Sequence, residues 1–218
     1  MPDLPIPEGG RDIVTPLVAA ILREAGDDAY QRLVASGPAP AAAHRVLENV
    51  QPDALLVRPI RHPEDARAAL AGLWLWHDAL DECHRIVQEI AMPTGSFWHA
   101  IMHRREGDFS NSKYWYNRCR GHHVMKMLGA VASSLASSQV SDRLVARTLS
   151  GGWDPGGFVD LVAQVHANPA DPRHDLAVRL QRAEWEALFD YCLREAVGDD
   201  RNRLDDWDRG AGTLGARM

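Results

Sequence analysis

The chain has 218 residues and a mass of 24.2 kDa, with 45% apolar and 25% charged residues, which excludes a disordered polypeptide or a collagen-like fibre and predicts one sizeable globular domain. Its 24 Lys and Arg stand against 30 Asp and Glu, a formal charge of -6, so the protein as a whole repels polyanions and nucleic-acid binding is not expected without a local basic patch. Three dispersed cysteines, Cys83, Cys119 and Cys192, lack paired metal-ligand spacing and read as reduced thiols of a cytoplasmic protein, and no apolar run reaches the length of a membrane span.

Residues 1–10 are rich in Pro, Gly and acid, carry no cationic-then-apolar leader pattern, and predict a flexible N-terminus. Helical spacing of Leu17, Val18, Ile21, Leu22, Tyr30 and Leu33, interrupted near Gly26, predicts two short helices between Thr15 and Val34. After a breaker at residues 36–40, a short helix is expected from Ala41 toward Val50, and Ala54 to Val57 reads as extended. A long helix is predicted from Pro63 to about Ile90, because Pro suits a first turn and Glu64 and Asp65 suit its positive end. Ser96 reads as the N-cap of a helix through Arg105, followed by an irregular loop over residues 107–111. Further helices are expected over residues 124–136, 141–149 and 155–167, and a long one from His174 to Val197 is stopped by Gly198. No alternating Val, Ile and Thr runs compete. The expected architecture is an all-α, single-domain multi-helix bundle over residues 11–197, with a flexible tail over 198–218.

Six of the ten histidines fall between residues 77 and 123, together with Trp74, Trp76, Trp98 and Trp115. Large rings ordinarily build cores, which is the plain reading of these tryptophans. The histidines carry a pattern. His77, Asp81 and His84 stand at i, i+4 and i+7, and so do His99, His103 and Glu106, so each set lies on one helical face. If the two helices pack antiparallel about the short loop near residue 92, the stripes meet across roughly 8–10 Å. Imidazoles and carboxylates at that separation suit a divalent metal such as zinc, iron or manganese, with His77, Asp81, His84, His99 and His103 as candidate ligands. The bundle di-metal and zinc-protease signatures are absent, and His77-Asp78 and His174-Asp175 are dipeptides that also arise by chance. A structural histidine network paired to carboxylates and carbonyls is the competing explanation.

The run from His103 to Arg118 mixes bases, amides and rings, and residues 99–126 carry a local balance of +4, leaving -10 for the rest of the chain. Arg104 and Arg105 with Asn111, Lys113, Tyr114 and Trp115 therefore predict the mouth of a site for a small anionic or polar ligand. Stacking of single-stranded nucleic acid on the same residues is the weaker alternative, because the surrounding surface is repulsive.

Trp76-His77-Asp78 with His84 and Gln88, Trp98 to Asp108 with His99, His103, Arg104, Arg105 and Glu106, Asn111-Ser112-Lys113-Tyr114-Trp115, and Trp153-Asp154-Pro155 with Phe158-Val159-Asp160 together resemble a family of uncharacterised bacterial and fungal proteins. The likeness covers residues 70–197. That family's Gly-x-His-Pro element corresponds to Gly121-His122-His123, which lacks the proline. The resemblance implies no reaction. On the residues alone, the expected activity is hydrolysis or lyase-type acid-base chemistry, with His103 and Glu106 trading protons and Arg104 and Arg105 neutralising charge. Metal-dependent oxidation and a non-catalytic interaction module are the alternatives. Oligomeric state has no signature here.

Overall fold

A computed structural model describes residues 5–6, 10–26, 28–35, 37–136 and 141–199. Among them are ten α-helices and no named strand: α1 (Pro16–Glu24), α2 (Ala41–Leu47), α3 (Pro63–Trp76), α4 (Leu80–Val87), α5 (Pro93–Glu106), α6 (Phe109–Arg118), α7 (His123–Leu135), α8 (Arg143–Thr148), α9 (Pro155–Val165) and α10 (His174–Val197). The all-α expectation holds.

The bundle is organised by α10, whose 24 residues span about 36 Å at 1.5 Å per residue. Apolar residues lie around most of its circumference, which fits a helix enclosed by neighbours rather than one facing water. α3, α7 and α9 pack on it, and α5 lies between α3, α4 and α6. Aromatic rings knit the centre: Trp185 lies 4.7 Å from Trp76 and stacks with Phe189 at 4.6 Å. The polar edges of these rings are satisfied, since Trp185 donates to the Gly72 carbonyl at 2.8 Å and Trp98 to the Cys192 sulfur at 3.4 Å. The core reading therefore applies to Trp74, Trp76 and Trp98, all buried, and all three cysteines are buried free thiols.

Four expectations are corrected. The single helix over residues 63–90 is two helices, α3 and α4, separated at residues 77–79, where Asp78 adopts φ 59°. No Gly or Pro marks this break; Asp is among the few residues that tolerate the left-handed region, and its carboxylate there receives Arg105 and Arg32. α5 begins at Pro93 rather than after Ser96, because proline fits the first turn, and Ser96 is buried inside the helix. The expected loop over residues 107–111 is the start of α6, for which Asp108 is the N-cap, accepting from the Asn111 N–H at 3.0 Å. Of the two helices expected before residue 34, only α1 forms, and Asp28 to Tyr30 make a turn.

Residues 54–57 are mixed. Pro52–Leu55 is a short 3-10 turn, while Leu56 forms an isolated antiparallel bridge with Val14. At the ends, Ile6 is buried, Gly198 closes α10 at φ 63°, and the buried Asp199 accepts from Arg58. Pro5 and Gly10 are buried as well, and the remaining residues of the segments expected to be flexible lie outside the described residues.

Candidate metal centre

α4 and α5 are joined by the short connection over residues 88–92. A Cβ at Gly95 would stand 2.3 Å from the Ile90 carbonyl oxygen, so glycine permits this connection to fold directly onto the first turn of α5. The last turn of α4 thereby meets the middle of α5. His84 from α4 faces His99 and His103, one helical turn apart on α5, and one candidate ligand atom from each of the three lies within 4.8 Å of the others.

His99 stacks between two rings, Trp115 of α6 at 3.8 Å and His103 at 5.0 Å. Its Nδ1 is buried and has no hydrogen-bond partner. Burial pushes the His99 pKa down to about 3, assisted by the neighbouring His103 and His84, so this imidazole stays neutral with its lone pair available. His103 Nδ1 lies 2.9 Å from Glu106 Oε2, which favours an Nδ1–H donating to the carboxylate and a lone pair on Nε2. The Asn111 amide nitrogen donates to that Nε2 at 3.1 Å from the first turn of α6. Asn111 and His84 are both half-buried, so the cluster is reached from the surface along this side.

The remaining expected ligands are elsewhere. His77 ends α3, and its Nε2 donates to the Ile21 carbonyl at 2.9 Å; burial lowers its pKa and keeps it neutral, a structural contact. Asp81 is exposed in the first turn of α4 and is not part of the imidazole group. For His77 the physical reason is the break at Asp78, which takes it out of the helix that carries His84; Asp81 shares α4 with His84 but stays exposed in its first turn.

Arg104 and Arg105 are not at a mouth. Each is fully buried, and each holds an element together. Arg104 meets Glu184 of α10 at 2.6 Å and Tyr116 at 2.5 Å, while Tyr116 donates to Glu184 at 2.7 Å. Burial opposes the Arg104 charge, but Glu184 and Tyr116 more than offset it and keep the guanidinium protonated. Arg105 pairs with Asp78 and lies 3.9 Å from the centre of the Tyr30 ring. Successive residues on a helix point about 100° apart, so His103, Arg104 and Arg105 necessarily face three different neighbours.

Trp115 borders the imidazoles, and Tyr114 beside it is 53% exposed. Arg118 lies over both rings, 5.4 Å from Trp115 and 5.9 Å from Tyr114. Lys113 points to a separate cavity of about 480 Å³ in which none of the clustered imidazoles takes part. Arg120, Arg147 and Trp153 line that cavity and Arg118 borders the rings, positions that sequence reasoning did not assign, although Trp153 belongs to the resembling Trp153-Asp154-Pro155 element and Arg118 closes the basic run from His103. No protein-family model, curated protein or solved structure matches this chain.

Proposed function

We propose that His84, His99 and His103 bind one divalent transition-metal ion and that the protein uses it for hydrolysis of a small polar or anionic substrate. The observation that carries this reading is the convergence of three imidazoles, one nitrogen from each lying within 4.8 Å of the others. A neutral three-nitrogen set suits zinc best, and iron or manganese next. Nitrogens about 2.1 Å from a tetrahedral ion stand about 3.4 Å apart, so binding would draw the rings together and displace the Asn111 amide from His103.

An ion held by only three protein ligands supplies Lewis-acid polarisation and acidifies water at its open position. Glu106 positions His103 by accepting from Nδ1, and its half-exposed carboxylate is placed to take up a proton at the edge of the site. Tyr114, Trp115 and Arg118 provide a stacking surface and a cation for the substrate. Three reduced cysteines fit a cytoplasmic setting, and no described helix is long and apolar enough to cross a membrane.

The test is elemental analysis of protein purified without an affinity tag, followed by cobalt substitution. One ion per chain, a tetrahedral cobalt absorption band and metal-dependent cleavage of nitrophenyl esters are expected. His99→Ala and His103→Ala should abolish all three with the helical circular dichroism retained. Absence of stoichiometric binding, or binding indifferent to both substitutions, overturns the metal centre and leaves a structural histidine network. Metal binding without ester cleavage overturns the hydrolytic role.

A further inference from the structure

The cavity of about 480 Å³ lies between α6, the start of α7, α8 and the start of α9. Its lining includes three cations, Lys113, Arg120 and Arg147, against one carboxylate, Asp154. Asp154 is the N-cap of α9, accepting from the Gly156 N–H at 2.9 Å through one oxygen, and its other oxygen lies 3.8 Å from Arg147 Nε. Behind the lining, Asp160 receives both Lys113 and Arg147, the latter at 2.8 Å, and clamps the two cations side by side. A Cβ at Gly157 would stand 3.0 Å from the Arg147 carbonyl carbon, so glycine allows α8 to lie against α9 and brings Arg147 to the cavity.

Arg120 has no carboxylate partner among the described residues; its Nε and Nη2 both rest on the Asn117 amide oxygen, at 2.8 and 2.6 Å. Trp153 also lines the cavity, is only 7% exposed, and has a buried indole N–H with no acceptor. A buried donor without an acceptor is uncommon, because the lost hydration is not replaced. Excess positive charge and a guanidinium without a carboxylate partner, both beside an open cavity, favour an occupant carrying negative charge. The volume exceeds what a bare oxyanion fills and matches sites for small organic ligands.

We propose that this cavity binds a small organic oxyanion, a carboxylate or a phosphate monoester. Arg120 and Arg147 contact its charged head, Lys113 adds long-range attraction, and the Trp153 ring forms part of the wall. This site is separate from the imidazole cluster, and binding here does not depend on a metal there.

The experiment is a nuclear magnetic resonance titration of the metal-free, nitrogen-15-labelled full chain, following indole N–H signals, with Trp153→Phe assigning the relevant one. Phenyl phosphate, benzoate and the neutral benzamide are added at equal ionic strength. A saturable shift of the Trp153 signal with at least one anion, and none with benzamide, is expected. Arg120→Gln and Arg147→Gln should each weaken that binding about tenfold, the scale of one lost charged contact. Arg120 is exposed, so its substitution tests the site without endangering the fold. A response to phenyl phosphate alone assigns the phosphate esters, and one to benzoate assigns the carboxylates. No saturable shift with either anion, benzamide binding as tightly, or affinity unchanged in both arginine variants overturns the proposal. His99→Ala leaves the anion titration intact, so failure here and failure of the metal reading are separately visible.

Discussion

Asp78 and Arg105 are 27 positions apart, and their ion pair fixes the joint between α3 and α4 against the last turn of α5. Arg105 is fully buried, whereas the Asp78 side chain keeps 15% exposure and is shared with Arg32 at 2.9 Å. Removing the carboxylate charge strands a buried guanidinium, which costs about 3 kcal/mol. Asp78→Asn, which tolerates the same backbone conformation, should therefore lower unfolding stability by that amount in urea titrations. A change under about 0.5 kcal/mol would show that the Tyr30 ring alone accommodates Arg105.

A second buried ion pair ties α5 to α10. Glu184→Gln removes the charged partner of Arg104 and should destabilise by about 3 kcal/mol or more, while Tyr116→Phe, which loses hydrogen bonds to both members of the pair but leaves their charges matched, should cost about 2 kcal/mol. Thermal unfolding of both variants checks the ordering. A larger loss in Tyr116→Phe than in Glu184→Gln would mean that Tyr116, and not the charge pair, controls the junction.

Glu106 supports the proposed metal site by accepting from His103 Nδ1. Glu106→Gln should weaken zinc binding about tenfold or more while leaving the helix content unchanged, as loss of a supporting carboxylate does. Competition with a chromophoric chelator measures this directly. Unaltered affinity would detach Glu106 from the site.

Stability should also depend on pH through Glu186. Burial raises its pKa from 4.5 to about 7, although Arg182 pulls it down. Below pH 4.5 both folded and unfolded chains hold the proton, and no penalty arises. As pH rises toward 7 the unfolded chain releases it more readily, so the contribution of this group to stability declines by ~3 kcal/mol. Glu186→Gln should flatten that segment of the curve and make the protein more stable than wild type at pH 8. Superimposable urea midpoints for the two proteins from pH 4 to 8 would refute it.

The parts of the fold visible in the sequence are those governed by local chemistry. α10 runs from His174 to Val197 and stops at Gly198, whose left-handed conformation glycine readily adopts, and Asp154-Pro155 opens α9. The break after α3 was hidden because Arg105 and Arg32, distant along the chain, help to hold Asp78 in its turn. At the site, His99 and His103 stay together because a four-residue spacing is secured within one helix. His84 joins them through a tight connection, whereas His77 required a helix continuity that tertiary pairing at Asp78 abolishes, and Asp81, on the same helix as His84, remains exposed. Nor does a pattern of charges distinguish solvated arginines from Arg104 and Arg105, whose partners come from α10 and from Asp78.

Three adjacent side chains on α5 serve three different contacts: His103 the imidazole cluster, Arg104 the α10 carboxylate, Arg105 the α3–α4 joint. One residue inserted earlier in that helix would rotate all three by about 100° at once. Imidazole, guanidinium and guanidinium would each arrive in a socket made for another. Length variation in this protein is thereby excluded from the interior of α5 and confined to the exposed connections, where an added residue leaves the phase of the helix untouched.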